Sequence, residues 1–292
     1  MKLKPVIKDS IELLIKKPKL IQAAFLMTFG NTVMYIFLIA WLFNSVIETK
    51  EGLWINISET FIYLFNTIQD LNIMGVIIGF IFIVLIGYFF IYPVSEATLI
   101  YAMQEDWKNI SKSFNKGLKK FFPMLEFRSL STFFGIYATF TVMMRLRAMW
   151  VLDSIVIKPI IIIWLLSSLF AIIFRPYFKF YIVLRDVPLF DAMKQSVLLT
   201  LGNFRLTLKA LFFEFFFLSR FLISVILIVI LPLGLMYGAI TFGLIEYRGI
   251  EILLRSIVWI LLLLTVYLNS IFQTFLINFW SRIFEKAEEN LA

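Results

Sequence analysis

Six long apolar stretches dominate the chain, at about residues 20–47, 73–101, 129–144, 160–174, 206–245 and 252–280. One helical crossing of a bilayer takes about 20 predominantly apolar residues. A chain of 292 residues cannot hide six such runs in a water-soluble core, because most residues of a domain that size touch its surface. Here 61% of the residues are hydrophobic, against about 45–50% in soluble chains. Lipid accepts that excess, since lipid-facing positions are themselves apolar. The expectation is an all-α polytopic membrane protein: one integral domain over residues 1–292 with about six transmembrane helices.

The individual runs carry their own signals. The first is too long for the apolar core of a cleaved leader and lacks a small-residue cleavage site, so it reads as an uncleaved first span. The second holds Pro93 and Glu96 near its end, and Gly75 with Gly79 at a spacing that permits close helix approach. The third is short for a crossing. Pro176, after Arg175, predicts a kink or break at the end of the fourth. The fifth exceeds one crossing, which predicts a break near Pro232 and Gly234. Between the first two, the 48–72 loop is acidic, and WINISETFIYLFNTI within it suits a helix lying on the membrane surface.

Basic residues orient the chain. Segments 1–19, 102–128 and 175–209 hold six each and 281–292 holds two, whereas 48–72, 145–158 and 246–255 hold one, three and two. Cytoplasmic loops are enriched in Lys and Arg, so both termini are expected in the cytoplasm and the protein in the cell membrane. The Arg145–Lys158 segment fits least well. The net charge of +8 is therefore a topology signal that flanks the spans, and no nucleic-acid partner is expected. The aromatic residues Trp41, Trp54, Tyr92, Trp107, Trp150, Trp164, Trp259 and Trp280 lie near span ends, where most suit interfacial anchoring.

Three of the cytoplasmic segments look alike: SIELLIKKPKL, NKGLKKFFPML and SVLLTLGNFRL. Anchored on Leu20, Leu125 and Leu206, they align Ser10 with Asn115 and Ser196, Leu13 with Leu118 and Leu199, and Pro18 with Pro123 and Phe204. Each reads as a basic amphipathic helix leading into a span. Lys16, Lys17, Lys112, Lys116, Lys119, Lys120, Lys194, Arg205 and Lys209 would meet anionic lipid headgroups while apolar neighbours sink between them. Three interfacial helices, each with a transmembrane hairpin, would make a degenerate threefold repeat; the positive-inside rule alone also yields basic amphipathic connectors.

The pattern A-x-x-x-S followed by (K/N)-(P/F)-x-L before a span, as in DAMKQSVLLTLGNFRLTL, resembles a group of bacterial polytopic proteins. That group includes the membrane domain accompanying some glycerophosphodiester phosphodiesterases and related uncharacterised families. The resemblance implies a membrane-domain fold and no activity, because the phosphodiesterase's soluble catalytic barrel has no counterpart in this sequence.

Chemistry is narrowed by what is missing. The chain has no cysteine and no histidine, which excludes disulfides, thiolate nucleophiles, Cys/His zinc sites and a catalytic histidine. No phosphate-binding loop and no serine-nucleophile elbow occurs. No catalytic residue, metal or cofactor is expected. Asp191 reads as the N-cap of the helix that follows it. Charged residues inside spans are costly and so are candidate functional groups. Glu96, Arg175 and Glu214 lie near the cytoplasmic boundary and Arg220 deeper. They are read as lining a polar cavity for a lipid headgroup or amphipathic ligand, against the alternative of snorkelling or packing ion pairs. Glu214 and Arg220, six residues apart, point about 120° away from each other on a helix of ~3.6 residues per turn, so each needs a partner elsewhere. The leading functional expectation is a non-enzymatic protein that binds or organises lipid, or an amphipathic ligand, at the cytoplasmic leaflet, with a further protein partner left open. A secondary transporter or transport-complex subunit, and a metal-dependent lipid-modifying enzyme, are the alternatives.

Overall fold

The structure is a computed structural model that describes residues 3–25, 27–30, 32, 86–104, 109–135, 139, 143, 157–221 and 248–291. Those residues form helices and the turns between them, with no strand among them. In chain order the helices are α1 (Lys4–Lys16), α2 (Lys19–Gly30), α3 (Tyr92–Gln104), α4 (Ile110–Lys119), α5 (Phe121–Phe133), α6 (Ile157–Phe174), α7 (Phe178–Leu184), α8 (Leu189–Gly202), α9 (Phe204–Phe221) and α10 (Arg248–Glu289). A π-helical turn, Ile86–Ile91, leads into α3. The segment Leu263–Glu289 is long and apolar enough to cross a membrane, and counting two bent helix pairs as single spans makes three. Those pairs are α6 with α7, bent by 50°, and α8 with α9, bent by 99°. The 48–72 loop, the Gly75/Gly79 pair, Pro232 and Gly234 lie outside the described residues, as do large parts of the expected spans one, two, three and five.

Breaks fall where the sequence supplies them. Pro93 has no N–H to give to the turn before it, and the wider π turn at Ile86–Ile91 precedes it. Pro176 sits in the turn that ends α6 and starts α7. Asp191 is not a cap: Pro188 holds the N-cap position of α8 with extended backbone. Asp191 lies in the first turn, where its charge faces the positive end of the helix dipole.

The three similar segments each form a helix, a one- or two-residue break, and a second helix. The breaks come at Lys17, Lys120 and Asn203. Seven residues before each break stands a buried serine: Ser10, Ser113 and Ser196, at 0%, 3% and 0% exposure. Seven residues after stand Ala24, Phe127 and Ala210, also buried. This register corrects the sequence alignment in its second member by two residues, because Asn115 is exposed and Ser113 takes the inward position. Leucine anchoring misplaced it because the second break has no proline or asparagine and comes two residues early.

Two compact units divide the chain. The first comprises Met1–Ala23, Pro93–Phe216 and Gln273–Ala292; the second comprises Ala24–Tyr92 and Phe217–Phe272. In the first, α7 packs on α5 and α8, α8 also on α5 and α6, and α4 on α5. Its interior is aromatic. Phe180 stacks on Phe284 at 5.5 Å between centroids, and Phe127 meets Phe178 edge-on at 5.0 Å. Helix α3 is buried from Pro93 to Ile100 without a polar face. Residues 281–292, which the sequence sets beyond the sixth apolar stretch as a cytoplasmic segment, continue α10 to Glu289. Ile283, Phe284 and Ala287 recur at helical spacing and are fully buried, with Arg282, Glu285 and Glu288 on the other side of the helix.

In the second unit polar side chains join α2 to α10. Thr28 and Ser270 hydroxyls lie 2.6 Å apart, and Asn269 donates to Thr32 at 2.8 Å. A Cβ on Gly30 would lie only 3.4 Å from the Gly87 Cα, a backbone approach that small residues permit. Phe221 stacks on Phe272 at 4.4 Å.

Gly117 of α4 lies against the backbone of α3. A Cβ there would lie 2.9 Å from the Val94 carbonyl oxygen and 3.0 Å from the Thr98 nitrogen, both backbone atoms. Gly117→Ala should therefore cost about 1–3 kcal/mol of stability despite its better helix propensity. Denaturation of the detergent-purified protein measures this, and a stabilised variant would contradict the packing.

Candidate functional site

Of the four charged residues singled out in the sequence, Glu96, Arg175 and Glu214 lie in the first unit. Each of the three in the first unit has its own partner. Glu96, 6% exposed on the buried helix α3, accepts from Lys179 Nζ of α7 at 2.8 Å. Arg175, in the turn after α6, donates to the Ser131 hydroxyl at 3.1 Å. Glu214, on α9, accepts from the indole Nε1 of Trp280 at 2.9 Å. Arg220 belongs to the second unit.

The Glu96–Lys179 pair is the most enclosed of these. Its two side chains are 7% and 17% exposed, and the ammonium also lies 5.5 Å from the Phe180 ring. Desolvating two charges is costly, and a close contact offsets that cost only while both partners remain. Lys179 is one of the six basic residues of the 175–209 segment, and the signal that it turns inward is its place within the apolar run YFKFYIVL. Trp280, expected as an interfacial anchor, is 4% exposed, because its ring packs edge-on to Tyr177 at 5.9 Å. Trp164 stacks on Phe133 at 5.3 Å.

The nine basic surface candidates separate into two groups. Lys112, Lys119, Lys194, Arg205 and Lys209 are exposed, as is Lys16, which pairs with Glu12 at 3.3 Å. Lys17, Lys116 and Lys120 are only part-exposed. Lys116 lies 5.6 Å from the Tyr101 ring. Lys120 pairs with Asp186, and burial still draws its ammonium below the usual lysine range. Asp186 sits in the left-handed region at φ 55°, a conformation Asp tolerates better than most residues. Among the described residues the three most exposed large apolar side chains are Phe190, Ile15 and Phe122, at 78%, 75% and 71%. One comes from each helix–break–helix segment. Each has exposed lysine close in sequence: Lys194 near Phe190, Lys16 and Lys19 near Ile15, and Lys119 near Phe122.

A polar hollow of about 180 Å³ opens between the end of α3 and the end of α10. Met103, Gln104, Asn278, Ser281, Arg282 and Glu285 line it. Glu285 accepts from Gln104 Nε2 at 2.9 Å and from Arg282 at 3.2 Å. None of these residues was singled out in the sequence. The available signal was a stripe of small polar residues on an apolar helix, Ser270, Thr274, Asn278 and Ser281, at spacings of four, four and three. No group of three or more acidic side chains close enough to hold a metal occurs among the described residues. Comparison with protein families, with characterised proteins and with solved structures finds no match to this chain.

Removing Lys179 strands the Glu96 carboxylate in the interior. Lys179→Met should cost about 3–5 kcal/mol, and adding Glu96→Gln should return a large part of it. Unfolding of both variants in detergent measures the difference. A Lys179→Met protein as stable as the parent would mean that water already reaches the pair.

Proposed function

We propose that the protein is a multi-pass protein of the cell membrane, with about six spans and both termini in the cytoplasm, that binds and organises anionic lipid at the cytoplasmic leaflet without catalysing a reaction. The observation that carries this reading is that each of the three segments holds a large exposed apolar side chain beside exposed lysine, at positions that are not equivalent: Ile15 by Lys16 and Lys19, Phe122 by Lys119, and Phe190 by Lys194. A side chain as large as phenylalanine gains about 1.5–3 kcal/mol on leaving water for an apolar phase. A lysine held at headgroup level beside an anionic leaflet adds about 1 kcal/mol. Helix α6 supports the membrane setting, since Ile160, Ile162, Ile163, Leu166, Leu169 and Phe170 are all more than half exposed. Such a helix suits lipid and not water. The resemblance to phosphodiesterase-associated membrane domains points the same way.

One observation favours the transport reading as a second choice. The buried Glu96–Lys179 pair lies one turn after Pro93, where a π turn gives way to α3, and buried charge beside a helix irregularity is a feature of transport pathways.

Lipid analysis of the purified protein by native mass spectrometry tests the leading reading. The parent should retain anionic phospholipid in preference to zwitterionic. A variant carrying Lys112→Gln, Lys119→Gln, Lys194→Gln, Arg205→Gln and Lys209→Gln should lose most of that preference, at several-fold or more, while keeping its helical content. An unchanged preference would contradict the proposal.

A further inference from the structure

The hollow at the ends of α3 and α10 holds more hydrogen-bonding capacity than the protein uses. Ser281 is 2% exposed and Asn278 1% exposed. Among the described residues the Ser281 hydroxyl makes no hydrogen bond. Among the described residues the Asn278 side chain makes one, a long donation of 3.5 Å to the Ser10 carbonyl, and its amide oxygen accepts none. Neither oxygen is among the fully enclosed side-chain atoms that lack a partner, so each opens on the hollow, where water or a ligand can serve it. Their positions are fixed from behind, because Ile277, Phe279, Trp280, Ile283 and Phe284 anchor the same stretch of α10 in the core. A hollow of about 180 Å³ far exceeds one structural water, whose share of liquid volume is about 30 Å³.

The unused groups sort by sign. Arg282 spends one N–H on Glu285; a guanidinium has five, so four remain, and the Ser281 hydroxyl adds another donor. The acceptors are the remaining lone pairs of Glu285, the Asn278 amide oxygen and the Gln104 amide oxygen. Arg282 and Glu285 are 43% and 35% exposed, so both can turn toward a guest. An anion alone would meet the Glu285 carboxylate, and a cation alone would meet Arg282. A molecule carrying both charges satisfies each.

We infer that this hollow binds a small zwitterion, with its oxyanion group on Arg282 and Ser281 and its primary ammonium on Glu285 and the amide oxygens of Asn278 and Gln104. The choice of phosphate as the oxyanion rests on the lipid-facing reading above, since phosphate joined to ammonium is the common zwitterion of a membrane surface. The same chemistry is offered by a phospholipid headgroup and by free phosphoethanolamine.

Isothermal titration of the full chain in detergent tests this with four probes: phosphoethanolamine, dihexanoyl phosphatidylethanolamine, phosphocholine and glycerol phosphate. The first two should bind at least tenfold more tightly than the last two, which lack N–H donors or lack the ammonium. Arg282→Gln and Ser281→Ala should each weaken binding about tenfold with an unchanged melting temperature, and Glu285→Gln should remove the preference over glycerol phosphate. Binding of free phosphoethanolamine alone supports the site and identifies a soluble ligand. Binding of the lipid alone supports it only if Arg282→Gln weakens that binding; lipid binding indifferent to Arg282→Gln would be acyl-chain adsorption and would overturn it. If neither phosphoethanolamine nor the lipid binds, the inference is overturned as well. The lysine and arginine variant above leaves these residues intact, so zwitterion binding that persists in it separates this inference from the proposed function.

Discussion

The first unit leans on the burial of the Gln273–Glu289 segment of α10. Its apolar side gives the unit Phe279, Ile283, Phe284 and Ala287, all at 1% exposure or less. Its polar side reaches several helices in turn: Glu285 takes a bond from Gln104 of α3, Glu288 pairs with Arg185 after α7 at 2.6 Å, and the Ala287 carbonyl accepts from Asn203 at 3.0 Å. The pairing holds the Arg185 guanidinium above its ordinary range. Asn203 in turn accepts from Asn290 at 2.9 Å. One helix end thus ties down the sharp α8–α9 corner, and with it the exposed Phe204 and Arg205 that follow. A bend of 99° leaves backbone groups without helical partners, and Asn203 meets part of that need: its carbonyl accepts from the Leu206 and Thr207 amides.

Small polar side chains recur along α10 because a long apolar helix has few other means of specifying its neighbours. Apolar packing in lipid is weakly directional, whereas hydroxyl and amide groups must find partners and so fix register. Thr28 with Ser270 and Asn269 with Thr32 do this in the second unit. In the first unit the same stripe runs on to Asn278 and Ser281, where partners run out and the hollow opens. A structural stripe thereby becomes a candidate binding surface within one helix.

Much of the helical layout was legible in the sequence. The break at Pro176 is backbone chemistry, visible in one residue. The alignment paired Ser10 with Ser196, and both prove buried, but nothing in the sequence placed them inside. The site was less legible. Glu96 was recognisable as a costly charge, but its partner Lys179 comes from 83 residues away, and only tertiary packing brings them together. Residues 281–292 read as a segment beyond the sixth apolar stretch because their charges stand out; the buried face formed by Ile283, Phe284 and Ala287 is evident only once α10 is seen to continue without a break. Six spans remain an inference from hydropathy, whereas the described helices supply one clear candidate and two bent pairs.

Hydrogen exchange on the full chain in detergent tests the central claim most directly. If α10 is an interior strut to its end, the amides of Ile277–Ala287 should exchange as slowly as those of the buried α3, opening only with the unit as a whole. Exchange of Ser281–Ala287 at the rate of a frayed terminus, with α3 still protected, would contradict the account and return those residues to the role of a solvent-exposed tail.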